Sequence, residues 1–346
     1  MIDQAGNTPA NNGDAQQAIA RTHEAYSLLT AELGKRIVGQ QHILTQMMWA
    51  LLCGGHVLLE GVPGLAKTLL IHTLADLMRL EFSRIQFTPD LMPADITGTD
   101  VITDNLKTGM KEFRFIKGPV FANIVLADEI NRTPPKTQAA LLQAMQEYEV
   151  TAQGKTHSIE KPFFVLATQN PIEQEGTYPL PEAQLDRFMM NVIIDYPTPE
   201  EEMEIVRRTT SPIETEINPV FDRNDILSLQ ALVKQVPVAE DIVRYAVLLV
   251  NMSRPQGEYI PHSLKNYIQW GAGPRACQYL VFGSKARALL DGRYAVTLDD
   301  IDALAPLVLR HRVILNFQAE AEGVTINRVI NTLIESARNF DLEKVS

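Results

Sequence analysis

The chain has 346 residues, of which 45% are hydrophobic, and a formal net charge of −11. This length and apolar content indicate a folded protein of about two domains. Because non-specific binding to nucleic acid depends on Lys and Arg neutralising phosphates, the acidic balance disfavours that class of partner. The two cysteines, Cys53 and Cys277, form no CxxC pair and the seven histidines show no metal-ligand spacing, so neither a disulfide framework nor a zinc site is expected.

The sequence shows no targeting or membrane-spanning segment. Residues 1–14 are polar and predict a flexible tail, not a signal peptide. The longest apolar stretch, around 47–53, is too short to cross a bilayer, which takes about 20 residues. The sequence therefore predicts a cytoplasmic protein without a membrane span.

Five short apolar runs predict strands that alternate with helices over residues 15–196. Strands separated by helices form a parallel sheet with helices on both faces. Two pairs of alternating runs interrupt this order and predict hairpin insertions. The strands are predicted at 56–60, 82–87, 124–127, 163–167 and 192–194, and the hairpins at 99–102 with 113–116 and at 149–152 with 156–159.

Helical periodicity appears between these strands and again after residue 197, where the strand signals fade. Thr133 is expected to cap a helix that begins at Pro134, and Thr297 with Asp300 matches a capping box. An α/β domain at 15–196 followed by a smaller all-helical domain at 197–346 is therefore predicted. The helices are predicted at 15–33, 41–52, 67–78, 134–147, 241–254, 275–290 and 299–310.

Residues 61–68 lie between a predicted strand and a predicted helix, which is the setting of a phosphate-binding loop. Backbone N–H groups and the helix N-terminus together favour an anion there. Lys67 is expected to reach the outer phosphates of ATP and the Thr68 hydroxyl to bind Mg²⁺. An ordinary Gly-Pro turn is the weaker alternative. Ala66 replaces the usual Gly, at little cost if its φ is negative. The residues expected at the nucleotide are Gly61, Val62, Pro63, Gly64, Leu65, Ala66, Lys67, Thr68 and Leu69.

Polar residues follow two of the predicted buried strands. Asp128 and Glu129 end one strand, and Asn170 follows another. Ligands of open parallel sheets bind at the carboxyl ends of the strands. Asp128 suits contact with Mg²⁺ through the waters that the ion keeps, since Mg²⁺ takes few carboxylates, and Glu129 suits polarising an attacking water. A solvated strand end is the alternative, and the phosphate loop upstream favours the catalytic interpretation.

Together these segments resemble the AAA+ ATPases, and most closely the MoxR family. The matching pieces occur in family order along most of the chain. One departure is Gly273, where the family more often has Ser. The pieces are IVGQ at 37–40, GVPGLAKT at 61–68, LADEINR at 126–132, ATQNP at 167–171, LDRF at 185–188 and GAGPRA at 271–276.

The resemblance implies roles for residues that the spacing alone does not assign. Val38 and Gly39 would lie against adenine, and Asn170 would be the sensor 1 residue. Arg187 would be the arginine finger that completes the site of a neighbouring subunit. Arg275 would be sensor 2, reaching from the helical lid to the γ-phosphate.

The same resemblance gives Asp128 and Glu129 the Walker B roles and suggests that Arg132 also acts across the interface. An arginine at the γ-phosphate raises the rate of phosphoryl transfer by orders of magnitude, and one supplied by a neighbour requires a closed head-to-tail assembly. The alternatives without a catalytic role are a surface salt bridge for Arg187 and a charged helix start for Arg275. The pair 311–312 is expected only to end a helix.

The function implied is that of a hexameric ATPase that uses ATP and Mg²⁺ to remodel or activate a client protein, with a von Willebrand factor A domain protein as a further partner. Three alternatives stay open. They are an ATPase subunit of a metal chelatase, a motor on nucleic acid, which the negative charge disfavours, and a nucleotide-gated binding module, which Glu129 disfavours.

Overall fold

The structure is a computed structural model that describes residues 12–104, 111–152, 154–171, 176–210 and 216–342. Most of the tail predicted at 1–14 and the turn of the first predicted hairpin lie outside the described residues. The last residues of that predicted tail belong to a helix that begins at Asn12.

A five-stranded parallel sheet forms the centre of the first domain, as predicted. Across the sheet the strands follow the order 82–86, 124–128, 164–169, 57–60 and 190–193. The strand that precedes the phosphate loop, 57–60, therefore has a parallel neighbour on each side. The inner strands are apolar except at their carboxyl ends, because helices cover both faces of the sheet. The strands are β1 (Val57–Glu60), β2 (Phe82–Gln86), β5 (Ile124–Asp128), β8 (Phe164–Gln169) and β9 (Met190–Ile193).

The helices of this domain follow the predicted periodicity, with one correction. The helix expected to begin at Pro134 under a Thr133 cap begins at Pro135, and its N-cap is Pro134 in an extended conformation. A residue that precedes proline is biased away from helical angles, which explains the shift of one position. The helices are α1 (Asn12–Arg36), α2 (Gln41–Leu52), α3 (Lys67–Leu77), α4 (Pro93–Thr97), α5 (Pro135–Glu147) and α6 (Glu182–Leu185).

Both predicted hairpins are present and contact each other. Strands β3 (Gly98–Asp104) and β4 (Lys111–Lys117) form the first, and β6 (Glu149–Ala152) and β7 (Lys155–Ser158) form the second. The Phe115 ring stacks on the His157 ring with centroids 3.9 Å apart. The two insertions therefore form one projection from the sheet.

The remaining chain forms the lid. The helices predicted at 241–254, 275–290 and 299–310 are confirmed, and the capping box of Thr297 and Asp300 is present. The sequence did not indicate the other helices or a small ribbon. The lid elements are α7 (Pro199–Thr209), α8 (Arg223–Gln235), α9 (Glu240–Met252), β10 (Ile268–Trp270), α10 (Pro274–Leu290), α11 (Leu298–Leu309), β11 (Ile314–Leu315), α12 (Phe317–Ala321) and α13 (Ile326–Arg338).

The lid packs tightly on its own sheet domain at the start of β9. A single hydrophobic core joins the two, and Gly283 of α10 lies so close to Leu304 and Met189 that a Cβ there would be 2.7 Å from Leu304 Cδ1. Arg312 donates to the carbonyl of Phe188 at 2.6 Å. Among the described residues, no helix combines the length and the apolar character that crossing a membrane requires.

Candidate nucleotide-binding site

The predicted phosphate loop joins β1 to α3. Gly61 packs against the backbone of Ile194, where a Cβ would approach the carbonyl oxygen to 2.7 Å, and Gly64 has a φ of +87°. Only glycine adopts both arrangements without strain. The loop therefore needs its two glycines at these positions, and its N–H groups lie at the start of a helix, where an anion is favoured.

Ala66 does not meet the condition under which alanine would cost little in place of glycine. Its φ is not negative, because it caps α3 in the left-handed region with a φ of 54°. That conformation costs an L-residue roughly 1–2 kcal/mol. Gln40 and Glu129 also have positive φ values, of 57° and 58°. Strained backbone of this kind clusters at functional sites, and all three residues border the same loop.

Lys67 lies within the loop and donates from Nζ to the Gly61 carbonyl at 2.5 Å. Burial lowers the pKa of Lys67, while the charges of Asp128 and Glu129 act in the opposite direction. The two carboxylates therefore lie near enough to favour the ammonium form. This ammonium is the group that the sequence assigned to the outer phosphates.

Asp128 and Glu129 stand at the end of β5 and are held by Thr168 of β8. The Thr168 hydroxyl donates to Asp128 Oδ1 at 2.6 Å and accepts from the Glu129 backbone N–H at 2.8 Å. Thr168 is buried because β8 lies directly beside β5 in the sheet. One side chain thus fixes the positions of both acidic residues.

Strand β2 supplies a second set of contacts to the acidic pair. Arg84 donates to Asp128 Oδ2 from Nη2 at 2.6 Å and from Nε at 3.1 Å, and Gln86 donates to Glu129 Oε2 at 2.8 Å. Arg132 pairs with the same Glu129 oxygen at 3.1 Å. Arg132 therefore contacts the acidic pair of its own subunit.

Asn170 and the Val38–Gly39 segment lie at the same edge of the sheet as the loop. Asn170 is buried directly after β8, whose last residue, Gln169, pairs with the last residue of β1. Gln40 donates to the carbonyl of Leu65 in the loop at 3.3 Å. The structure thus brings together the loop, the acidic pair, Asn170 and Val38–Gly39.

The two predicted arginines lie at the opposite edge. Arg187 precedes β9 and donates to the Leu142 carbonyl at 2.7 Å, and Arg275 pairs with Asp186 at 3.0 Å. Both line one cavity with Gly55 and His56, which precede β1. Since β1 has four residues at about 3.3 Å each, this edge lies roughly 13 Å from the loop along the strand. Arg275 therefore does not approach the phosphate loop of its own chain. A phosphate bound in that loop lies beyond the reach of Arg275 from its own lid.

Asp186 anchors this arginine edge to the lid. Besides Arg275 it accepts from Arg312 Nε at 2.8 Å, and Arg312 is only 6% exposed. The pair 311–312 was expected merely to end a helix, but α11 ends at Leu309 and Arg312 is buried among backbone carbonyls. Burial lowers the pKa of Arg312, and the carboxylate of Asp186 offsets that effect.

The donor set suits Mg²⁺ and a triphosphate. Thr68 and Asp128 offer hard oxygen ligands, of which Mg²⁺ takes few from protein because it keeps waters and substrate phosphates. In the described ranges, no cluster of three or more His, Cys, Asp or Glu residues could hold a metal by itself. A site that shares the ion with bound phosphate fits these residues.

Comparison with known proteins agrees with this geometry. The profile of the ATPase family associated with various cellular activities (AAA) matches residues 56–190, and that of the AAA lid domain matches residues 263–333. A crystal structure of a protein from Cytophaga hutchinsonii assigned as an ATPase superposes with a TM-score of 0.87 at 42% identity, covering 94% of this chain and 98% of that one. The fold and site thus define an AAA ATPase, which binds nucleotide and hydrolyses ATP.

The relatives narrow the class. Chaperone MoxR1 of Mycobacterium tuberculosis is 42% identical over 95% of this chain and 86% of its own length. YeaC of Bacillus subtilis is 42% identical over 91% of this chain and 95% of its own length. The MoxR protein of Methylorubrum extorquens is 28% identical over 88% of this chain and 91% of its own length. The chain belongs to the MoxR family of AAA+ ATPases, as the sequence motifs indicated.

Sequence reasoning missed several residues of the site. Thr168 lies inside the ATQNP motif at 167–171 but was assigned no role, and Asp186 lies directly before Arg187. The positions of Arg84 and Gln86 gave no signal, because their contacts depend on β2 lying beside β5. A polar residue directly after the apolar run of the strand was the one available indication for Thr168.

Proposed function

We propose that this ATPase works as a head-to-tail ring, which we expect to have six subunits, in which each nucleotide is completed by Arg187 and Arg275 of the next subunit. The observation that carries the proposal is the placement of both arginines at the edge of the sheet opposite the phosphate loop. A head-to-tail contact joins unlike edges of two copies and closes into a ring. Both arginines would then meet a neighbour's phosphates.

Within one subunit, the loop N–H groups and Lys67 bind the phosphates of ATP, and Val38 with Gly39 borders the adenine. Thr68 and Asp128 would hold Mg²⁺, which would supply positive charge against the phosphates. Arg84 shares Asp128 Oδ2, so it competes with the ion for that oxygen and limits how strongly the carboxylate binds it.

Hydrolysis requires a base for the attacking water. Glu129 is that group, and Gln86 and Arg132 both hold its Oε2, so we assign Oε1 to the water. Asn170, buried beside the loop, orients the water or a γ-oxygen. The arriving guanidinium groups of the neighbour stabilise the charge that spreads over the γ-phosphate in the transition state.

The joined hairpins are the surface proposed for client protein. Ile102 and Phe113 are paired across β3 and β4, and both are strongly exposed. Exposed apolar residues grouped on a projection mark a protein contact more often than a nucleotide site. The name of the mycobacterial relative, a chaperone, supports a remodelling role over the chelatase and nucleic-acid alternatives. A partner with a von Willebrand factor A domain stays part of the proposal.

The client role is tested with a trapped complex. The Glu129→Gln variant should hold ATP and retain client, so proteins bound to it in extracts of the native cell are identified with and without Phe113→Asp. The matched control is Phe317→Asp, which alters another strongly exposed phenylalanine, on the lid. Loss of the bound proteins with Phe113→Asp alone supports the proposal. Equal retention by both variants contradicts the assignment of the hairpins.

A further inference from the structure

A cavity of about 570 Å³ opens between α6 and the β10–β11 ribbon of the lid. We call it the lid cavity. Its wall is apolar on the ribbon side and charged on the α6 side. The residues that matter here are Glu182, Asp186, Trp270, His311, Arg312 and Ile314.

Two features of the lid cavity indicate that its contacts are incomplete within one subunit. The Trp270 side chain is 67% exposed at the rim. Among the described residues, none hydrogen-bonds to the buried Nδ1 atom of His311, while Nε2 lies 3.1 Å from the Phe188 carbonyl oxygen. Leaving a buried polar atom without a partner costs free energy, so this ring marks a part of the cavity where the contacts of one subunit are incomplete.

An unpartnered apolar face exists on α7. Met203 and Val206 stand three residues apart, on the same side of the helix, and are 52% and 58% exposed. No described residue of α7 is buried, although the helix is well capped by Thr198. The face is therefore not covered by any described part of its own chain.

The two surfaces belong to opposite edges of the molecule. The α7 face lies at the loop edge, because Glu201 of α7 packs so closely on Gly39 that a Cβ there would be 2.4 Å from its carboxylate. The lid cavity lies at the arginine edge, because Asp186 in its wall is the partner of Arg275. A contact that brings Arg275 to a neighbour's phosphate loop also brings the lid cavity towards that neighbour's α7.

We infer that the Met203–Val206 face of α7 docks against Trp270 in the lid cavity of the adjacent copy of this chain. The charges agree, since Arg207 follows Val206 with its side chain 73% exposed and Glu182 is exposed at the cavity rim. A second copy is the occupant because both surfaces adjoin the two halves of the composite site. We assign the joined hairpins, and not these two surfaces, to client protein. The inference rests on the head-to-tail ring of the proposed function.

The test is subunit cross-linking with a short bismaleimide in the presence of Mg²⁺ and ATP. Val206→Cys protein is mixed with Trp270→Cys protein, both in an otherwise unchanged full chain. The matched control replaces Trp270→Cys by Tyr294→Cys, an exposed aromatic beyond the other end of α10, a helix of 17 residues and thus about 25 Å long. The unaltered protein gives the background from Cys53 and Cys277.

A covalent dimer is expected from the Val206/Trp270 mixture, at least ten times more abundant than from the Val206/Tyr294 mixture. Native mass measurement and ATP turnover of the same samples distinguish a failure of the docking contact from a failure of the ring. Rings that form and hydrolyse ATP without the specific dimer overturn the docking inference and leave the ring intact. Absence of any ATP-dependent assembly overturns both. A third variant, Val206→Asp, should weaken assembly while the separate subunits keep their affinity for ATP.

Discussion

The hydroxyl of Thr168 donates to Oδ1 of Asp128 at 2.6 Å and simultaneously accepts the N–H of Glu129. One buried hydroxyl on β8 therefore positions the acidic pair on β5. Asp128, which is assigned to Mg²⁺, and Glu129, which is assigned as the base, therefore both depend on Thr168 for their position.

We predict that Thr168→Ala lowers ATP turnover about 10- to 100-fold, the usual effect of removing a group that orients a metal ligand. Affinity for ATP should change little, since Lys67 and the loop are intact. Thr168→Ser keeps the hydroxyl and should keep most of the turnover. Steady-state kinetics and nucleotide titration of both variants measure the difference. Equal turnover in the alanine and serine variants would show that the hydroxyl has no positioning role.

The left-handed backbone at Ala66 predicts that glycine is tolerated there without loss of stability. Ala66→Gly should retain nucleotide binding and not lower the thermal midpoint, because glycine adopts a φ of 54° without the penalty that alanine carries. Ala66→Val, with a β-branched side chain, should lower both stability and ATP affinity. Scanning calorimetry and nucleotide titration distinguish the outcomes. A destabilised glycine variant with intact valine behaviour would contradict the backbone assignment.

Glu129→Gln should bind ATP and assemble, yet hydrolyse it about 10² to 10⁴ times more slowly, because the amide keeps the shape and loses the base. Gln86→Ala serves as the comparison, since it removes a contact to Oε2 and leaves the carboxylate in place. Single-turnover hydrolysis of bound ATP is the measurement. Turnover equal to that of the unaltered protein would remove Glu129 from the reaction.

His56 makes stability depend on pH. Its Nδ1 accepts from the Val165 N–H and its Nε2 donates to the Met145 carbonyl, and burial lowers the pKa of His56 to about 4. Below pH 6.5 the unfolded chain binds a proton that the folded chain refuses. The free energy of unfolding therefore falls as pH drops from about 6.5 to 4, by at most about 3 kcal/mol from this residue.

Thermal midpoints from pH 4 to 7 check this dependence. His56→Asn should flatten the curve, whereas His42→Gln, at an exposed position, should leave it as it is. His311, whose pKa burial also lowers, keeps part of the slope in both variants. An unchanged slope in His56→Asn would be inconsistent with a buried neutral imidazole.

The sequence predicted those parts of the site that neighbouring residues along the chain create. The phosphate loop follows its strand and opens its helix, and Asp128 follows an apolar run, so pattern and spacing were sufficient. The structure was needed for contacts between separate strands. Arg84 and Thr168 reach Asp128 only because β2 and β8 flank β5.

The position of the lid was the second feature that local pattern could not supply. Arg275 begins a helix whose periodicity is evident, but the pattern does not say against which part of the sheet that helix packs. Gly283 admits Leu304 and Met189, and Arg312 reaches the carbonyls before β9, and these contacts hold the lid beside the arginine edge. The expected contact of Arg275 with a γ-phosphate is therefore proposed for the nucleotide of the next subunit.

The central claim is that the arginine edge of one subunit completes the nucleotide site of the next. Lys67→Ala should abolish ATP binding, and Arg187→Ala should lower turnover far more than affinity. The direct measurement is ATP turnover of the two inactive variants mixed in one ring, with mixed assembly verified by native mass. We predict partial recovery of activity, because some interfaces then combine an intact loop with an intact Arg187. A mixture that forms mixed rings and stays inactive would contradict the claim.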